Sequence, residues 1–477
     1  RFRNERFTHR AAPHPTGARP TVGPGTRAAR LAGMTAERAY PVQPAKKGVR
    51  PYFQGERTYP KSADPKKSHG ELGETMDRAR LVGLLAELLP DAREEIAFKR
   101  NVESQGRGRA ALGARPRWRK IYDRLDEYFK DQPELQLETT PLYPILNGAT
   151  GLARGHLCEP VMEEAIDNGC DAAVHWLETL LAKQHATVRV FAATRGLLLP
   201  PGGILLNGVN IAPFDELPMT PHGLWMQRGI QEAFGGVPAS AAAFIDMPAV
   251  KILRHKDRMD PIFEPALTKI KETVLAFTVF GDAAPRLGQA WTEYLDTDLQ
   301  RVGAGFGYSP EYSEGVHFPE LQVDTLAVAS ANRVLAAFQA SALGARVKIA
   351  TSRLNMARRR KDVSDRAIDA AICLEAILGD ADRFDLTYKI SLRAALLTET
   401  DVESRRQVMK KVKAFYKLRS AIVHGERDMR DAKDQQTLRD GLETCAIALR
   451  RFIELDCPNE WWRIELVANA KDGKPAP

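Results

Sequence analysis

The sequence has no uninterrupted apolar run long enough to cross a membrane. A spanning helix needs roughly 18 consecutive apolar residues. The best candidate, VRVFAATRGLLLPPGGILL at residues 188–206, is interrupted by Arg195 and by the pair Pro200–Pro201. The apolar content of 44% is ordinary for a globular chain. The sequence therefore predicts a protein that is not embedded in a membrane.

Cysteines are few, and their spacing is not that of a metal or redox site. The chain has five, an odd number, and three lie in apolar stretches where cysteine is usually a small buried hydrophobe. The histidines are scattered; His175 and Glu178 form one pair and not a coordination sphere. No serine or cysteine hydrolase constellation is evident. The sequence predicts no metal, no cofactor and a reducing, cytoplasmic location.

Most of the chain has little net charge. The formal net charge is +8, but residues 1–70 hold 15 lysines and arginines against 4 acidic residues. The remaining sequence holds 54 against 57, a net charge of −3. The basicity therefore belongs to the first 70 residues and does not predict a basic binding face on the folded part.

Residues 1–70 are also rich in proline and glycine. They contain nine prolines and seven glycines and almost no periodic apolar pattern, which predicts a disordered tail. No apolar segment follows the arginines, so a signal peptide is not expected. A solvated tail is the simpler interpretation, and non-specific binding to nucleic acid is the alternative.

The next part of the sequence mixes helical and strand patterns, which predicts an α+β protein. Residues 71–140 show helical periodicity. Residues 141–344 are expected to form an α+β domain of unknown, sensor or regulatory, role. Within it, residues 186–193 alternate as a strand does. The pair Asn207–Gly208 lies between two apolar triplets, which predicts a hairpin with a type I′ turn.

A single helix is predicted over residues 161–184, in the same α+β domain. Its apolar residues recur at helical spacing, with Ala165, Val174 and Leu177 among the positions expected to face inward.

Residues 345–460 have a helical pattern throughout, and residues 461–477 are expected to be a C-terminal tail. Four amphipathic segments joined by short links predict a helical bundle. These segments are DVSDRAIDAAICLEAILG, LTYKISLRAALL, ESRRQVMKKVKAFYKLRSAIVHG and DQQTLRDGLETCAIALRRFIEL.

Two of these helices carry a charge inside their apolar face. On a wheel of about 100° per residue, Arg419 lies about 40° from Phe415, within the apolar stripe of the third helix. Glu375 lies about 20° from Ile368, in the centre of the apolar face of the first helix. An unpaired buried charge costs several kcal/mol and a paired one much less. We therefore expect Glu375 to contact Arg419.

His424 lies at the end of the third helix, about 140° around the wheel from Arg419. Gly425 follows and can adopt the left-handed conformation that caps a helix. The helix dipole also favours a protonated histidine in a last turn. Both residues thus have a structural explanation, Arg419 as half of a buried ion pair and His424 as a capping residue.

These last residues resemble the HEPN superfamily, specifically the Apea-like HEPN domain. The matching segments are SDRAIDAAICLEAILG, with its Asp365–Arg366 start and Leu374–Glu375 pair, then KISLRAALL, then FYKLRSAIVHG. In the last segment, Arg419 and His424 are separated by four residues and fit the family's R-x4–6-H signature. The resemblance covers only the C-terminal quarter of the chain.

The resemblance implies a metal-independent endoribonuclease, of a kind that includes toxins and antiviral defence effectors. The site would form at a homodimer cleft. His424 would transfer protons near neutral pH, and the forked, permanently charged Arg419 would bind the phosphate. A second His424 from the partner copy would supply the second proton transfer. Attack by the 2′-hydroxyl would make RNA the substrate.

Three further residues would support this site. Glu375 would hold Arg419, Ser420 would contact the His424 imidazole or a phosphate, and Tyr416 would stack a base. Ser420 as a solvent-exposed hydroxyl and Tyr416 as an interface residue are the structural alternatives. The alternative function is a non-catalytic HEPN module for dimerisation or for RNA or protein binding, with Arg419 and Glu375 as a structural ion pair.

Overall fold

The fold is described on a computed structural model of the chain. The structure describes residues 76–104, 112–132, 135, 141–145, 148–151, 154–217, 238–253, 263–302, 307–308, 320–340, 343–380, 385–425, 431–456, 458 and 460–461. These residues belong to one compact unit, Leu72–Pro477. The predicted tail at residues 1–70 and, apart from Trp461, the one at 461–477 lie outside the described residues.

Helices account for most of the described residues, and they begin before the sheet and continue after it. In chain order they are α1 (Arg78–Ser104), α2 (Pro116–Lys130), α3 (Arg154–Asn168), α4 (Cys170–Ala182), α5 (Phe263–Ala276), α6 (Thr297–Val302), α7 (Thr325–Gln339), α8 (Gly344–Arg359), α9 (Val363–Leu378), α10 (Leu386–Thr398), α11 (Val402–Val423) and α12 (Ala432–Glu454). Their apolar faces supply most of the buried side chains.

The strands lie in the middle of the chain. In chain order they are β1 (Pro141–Ile145), β2 (Gly148–Gly151), β3 (His185–Arg195), β4 (Leu197–Leu198), β5 (Ile204–Leu206), β6 (Val209–Pro213), β7 (Ala241–Val250), β8 (Ile252–Leu253), β9 (Arg286–Tyr294), β10 (Gly307–Tyr308) and β11 (Leu321–Gln322). The α+β class predicted from the sequence is confirmed, with a C-terminal region that is helical throughout its described residues.

The main sheet has six strands in the order β10–β9–β3–β7–β6–β5, and its neighbouring strands are antiparallel. The central strand β3 is the one predicted from the alternating pattern. Its residues Val188, Val190 and Ala192 are buried on the face that packs against helices. Smaller pairings join β1 to β2 and β8, and β4 to β11.

The predicted hairpin is confirmed in detail. Strands β5 and β6 pair antiparallel, with Leu206 opposite Val209. Asn207 and Gly208 connect them with φ angles of 54° and 68°. Positive φ at both central residues is what a type I′ turn requires, and asparagine and glycine tolerate it best.

The single helix predicted over residues 161–184 is wrong. Helix α3 ends at Asn168 and α4 begins at Cys170, because Gly169 between them has a φ of 97°, which no helical residue adopts. Of the positions predicted to face inward, Ala165, Val174, Leu177 and Leu181 are buried, whereas Ala172 is only half-buried. The apolar pattern identified the buried face but not the break.

The four helices predicted for the C-terminal region are confirmed as α9 to α12. A helix that the prediction did not separate, α8, precedes them and packs along α9. One hydrophobic core runs from the sheet into these helices, with Val190 and Ile211 at one end and Phe415 and Phe452 at the other. The predicted boundary between residues 344 and 345 therefore lies inside a continuous core.

Hydrogen bonds from the helices fix the turn between α5 and β9. Asn355 Nδ2 donates to the Thr278 hydroxyl and the Pro285 carbonyl, each at 2.9 Å. Arg358 donates to the carbonyls of Thr278 (2.6 Å), Ala283 (2.8 Å) and Gly281 (2.9 Å). These contacts attach the sheet to α8.

Alanine substitutions at two helical glycines should change the stability in opposite directions. Gly441 in α12 lies against Phe415, and a Cβ there would come 2.5 Å from the ring, whereas a Cβ on Gly83 in α1 would meet nothing within 4 Å. Gly441→Ala should lower the free energy of unfolding by about 1–3 kcal/mol through overpacking.

Gly83→Ala should raise the free energy of unfolding by about 0.5–1 kcal/mol, because alanine has the higher helix propensity.

Urea denaturation of the two variants measures both effects. A stable Gly441→Ala protein would contradict the close packing of α11 on α12. A destabilised Gly83→Ala protein would contradict the exposed position of Gly83 on α1.

Candidate functional site

Helix α11 carries most of the candidate residues, and its ends are well defined. It begins after Asp401, whose carboxylate accepts a hydrogen bond from the Ser404 N–H at 2.9 Å. The side-chain and backbone hydrogen bonds from Ser404 lower the pKa of Asp401, as expected for an N-cap carboxylate. The helix ends at Val423.

The end of α11 has the predicted cap. The His424 N–H donates to the Ser420 carbonyl at 3.1 Å, and the Gly425 N–H donates to the Ile422 carbonyl at 2.9 Å. Gly425 has a φ of 73°, so the predicted left-handed residue after the helix is confirmed. The backbone of His424 thus completes the helix, while its side chain lies in an exposed position.

The apolar stripe of α11 is also confirmed, and Arg419 lies beside it. Val412, Phe415, Leu418 and Ile422 are buried. Arg419 is half-buried, and its Nε atom is buried with no hydrogen-bond partner among the described residues. A buried donor without a partner costs free energy. This atom is therefore a place where an added acceptor would stabilise the structure.

Tyr416 is buried and is affected by both predicted charges. Its hydroxyl donates a long hydrogen bond to the Ala371 carbonyl at 3.4 Å. Burial raises the pKa of Tyr416; the negative charge of Glu375 raises it further and the positive charge of Arg419 opposes the rise. Glu375 and Arg419 therefore both act on the same hydroxyl. Their direct contact with each other stays a prediction.

Tyr416 does not suit the base-stacking role predicted for it. Only 8% of the residue is exposed, and its ring packs edge-on against Phe415, with centroids 5.8 Å apart. A ring covered in this way has no open face for a nucleotide base. The Tyr416 hydroxyl reaches Ala371, so α9 covers this side of α11.

Ser420 and His424 lie on the solvent side of α11. Both are exposed, and no side-chain hydrogen bond joins them among the contacts of the described residues. The charges of Glu375 and Arg419 thus both act on the Tyr416 hydroxyl. The structure places Ser420 and His424 together at the exposed end of the same helix.

Helix α9, which carries Glu375, is held at its C-terminal end by two arginines. Arg346 Nε donates to the Ala376 carbonyl at 2.6 Å, and its Nη2 donates to the Gly379 carbonyl. Arg393 donates to the Leu378 carbonyl at 2.8 Å. Cations at a helix C-terminus satisfy free carbonyls and oppose the dipole. These contacts attach the C-terminal end of α9, close to Glu375, to α8 and α10.

Sequence reasoning missed a second buried carboxylate, Asp369. Only 2% of it is exposed, and its two oxygens lie 2.8 Å from Arg353 Nη1 and 2.6 Å from Arg360 Nε. The second contact is an ion pair with poor hydrogen-bond geometry, because neither atom has a hydrogen-bond partner. One sequence feature could have predicted these ion pairs: the basic C-terminal end of α8 precedes the acidic N-terminal start of α9.

No family model, curated protein or solved structure matches this chain. None of the helices in the described part of the chain combines the length and apolar character of a membrane-spanning segment. Within the described ranges, no three His, Cys, Asp or Glu side chains are grouped so that they could hold a metal ion. The functional interpretation of the site therefore depends on its own residues.

The burial of Tyr416 predicts how the free energy of unfolding changes at alkaline pH. Because the folded-state pKa of Tyr416 is raised, its contribution to stability is complete below the unfolded-state pKa of about 10 and is lost as the pH rises above that value. Between about pH 9 and pH 11, the free energy of unfolding should fall by about 1.4 kcal/mol more in the wild type than in Tyr416→Phe.

Denaturation curves at several alkaline pH values measure this difference. Tyr388→Phe, at an exposed tyrosine of α10, is the matched control and should follow the wild-type curve. Identical pH profiles for the wild type and Tyr416→Phe would contradict the buried environment of Tyr416.

Proposed function

We propose that this protein is a metal-independent endoribonuclease of the HEPN type. The observation that carries the proposal is the half-buried guanidinium of Arg419, whose Nε lacks a hydrogen-bond partner among the described residues. It lies about one turn before an exposed histidine at the end of the same helix. A phosphate oxygen is the kind of acceptor that a guanidinium binds best.

The proposed reaction uses the 2′-hydroxyl of the RNA itself. One imidazole removes the proton from this hydroxyl while its oxygen attacks the adjacent phosphorus. The bond from phosphorus to the 5′-oxygen breaks, and an acid gives that oxygen a proton. The products are a 2′,3′-cyclic phosphate and a 5′-hydroxyl. The forked cation stabilises the charge that develops on the phosphate oxygens.

A homodimer is part of this proposal. One histidine cannot readily act as base and acid in the same step, so the His424 side chain of a second copy would supply the other proton transfer. The exposed position of His424 at a helix end leaves it accessible to a second chain. The role as a toxin or antiviral effector is proposed on the HEPN resemblance alone.

A second candidate function is a non-catalytic HEPN module for dimerisation or for RNA or protein binding. The observation that favours it is the arrangement around Tyr416, where Glu375 and Arg419 act on one buried hydroxyl. Opposite charges that both face a buried group are typical of a structural arrangement. In this case RNA stays intact, and Arg419→Ala lowers stability.

Cleavage of labelled RNA in the presence of EDTA separates the two functions. The wild type should produce cyclic phosphate ends, and His424→Ala should reduce the rate by about 10²- to 10⁴-fold, the usual contribution of a general acid or base. Arg419→Ala should reduce it by at least about 10²-fold. DNA of the same sequence should stay intact because it lacks the 2′-hydroxyl.

The matched control is His175→Ala, which removes another exposed histidine, on α4. It should cleave as the wild type does. Circular dichroism shows whether each variant is folded. Undiminished cleavage by folded Arg419→Ala and His424→Ala proteins would refute the assignment, as would equal cleavage of DNA.

A further inference from the structure

One face of helix α11 carries a line of cations that ends at the candidate histidine. Arg406, Lys410, Lys413 and Lys417 are spaced by four, three and four residues and are all exposed. This spacing places them on one face of the helix. His424 follows seven residues later on the same line. The distance from the first cation to His424 is 18 residues, or about 27 Å along the helix axis.

This line, which we call the cationic stripe, has unfavourable internal electrostatics. Like charges three or four residues apart on a helix repel each other, and each cation of the stripe has such a neighbour. None of the three lysines forms an ion pair with a carboxylate among the described residues, and Arg406 has only the exposed Glu403 at 3.6 Å. Solvated helices usually alternate charge signs on a face. The three lysines of the stripe therefore lack, within the described chain, carboxylates that would balance them.

An exposed aromatic ring lies beside the stripe. Tyr388 on α10 is 52% exposed, and the Lys413 ammonium lies 5.4 Å from the centre of its ring. Sites for single-stranded nucleic acid combine a cationic path for the phosphates with aromatic rings on which bases stack. Lys413 and Tyr388 bring both elements together midway along the stripe.

We propose that the cationic stripe and Tyr388 bind the backbone and one base of single-stranded RNA and lead it to His424. The proposal deepens the function above and rests on it for the choice of RNA. A single strand is favoured over a duplex because only an unpaired base can stack on Tyr388. A nucleic acid is favoured over an acidic protein segment because the stripe is regular and is accompanied by an exposed ring.

Binding is measured on the full chain in a His424→Ala background, so that cleavage cannot remove the probe. The probe is a fluorescent oligouridylate of about 10 nucleotides, within the usual range for a single-stranded site. Its dissociation constant is determined by anisotropy over a series of salt concentrations. The basic residues 1–70 are present in every variant, so their contribution cancels in the comparison.

Neutralising the stripe should reduce the salt dependence of binding. Each phosphate contact in a single strand contributes about 0.7 to the slope of log K against log salt. The triple variant Lys410→Gln, Lys413→Gln, Lys417→Gln should therefore have a slope about 2 smaller in magnitude. The control, Arg119→Gln, Lys120→Gln, Lys361→Gln, makes the same change in charge at exposed positions outside α11 and should leave the slope unchanged.

Replacement of the ring tests the stacking contact separately. Tyr388→Ala should weaken binding by about tenfold with the salt slope unchanged, and Tyr388→Phe should bind as the background protein does. Poly-glutamate should displace the RNA poorly at equal charge.

An unchanged slope in the triple variant, or an equal decrease in the control, would overturn the proposal. Unchanged binding by Tyr388→Ala, or equally strong displacement by poly-glutamate, would also overturn it and would favour an acidic protein partner. The triple variant loses mutual repulsion, so it should unfold no more readily than the background protein, and circular dichroism checks this.

The two proposals fail separately. If the wild type leaves RNA intact but the stripe controls the salt slope, the ribonuclease assignment is wrong and the RNA-binding stripe stands. If the wild type cleaves RNA but the triple variant binds it with an unchanged slope, the ribonuclease stands and the stripe is wrong.

Discussion

The described fold depends on the hydrogen bonds that helices α8 and α12 donate to the turn between α5 and β9. Thr278, Ala283 and Pro285 in this turn are buried residues, and buried carbonyls need donors. Asn355 and Arg358 of α8 supply them, and Arg450 of α12 reaches Val279 at 3.3 Å. Removing such donors would leave several carbonyls unsatisfied at once. The sheet and the C-terminal helices consequently share one core and one set of hydrogen bonds.

Buried charged and polar groups in the helical region also need partners. Asp369 meets two arginines, and the C-terminal carbonyls of α9 meet Arg346 and Arg393. The Nε of Arg419 is buried without a hydrogen-bond partner among the described residues, as are those of Arg360 and Arg450. Arg419 differs in its position, since it lies about one turn before the exposed His424, and this pairing of a guanidinium with an imidazole is the physical basis for proposing a phosphate ligand. The cations on the exposed face of α11 differ from these buried arginines, because they face solvent.

Local patterns predicted the elements that depend on local chemistry. Asn207–Gly208 specifies its turn through backbone conformation, and Gly425 specifies a cap in the same way. The break at Gly169 was missed because the apolar residues on both sides continue at helical spacing. Burial of Tyr416 was missed because a wheel describes one helix and not its neighbours. The cationic stripe was missed because net charge, averaged over residues 71–477, conceals one helix on which cations outnumber acidic residues.

The continuous core has a consequence for dividing the protein. A fragment that began near residue 345 would retain α9 to α12, but it would lose the sheet and α5, whose side chains cover the other end of the same apolar interior. Arg358 and Asn355 would then project donors towards carbonyls that were no longer there. Excision at that point would create a new apolar surface prone to aggregation, so the C-terminal helical region, although short in sequence, is not a separable part of the molecule.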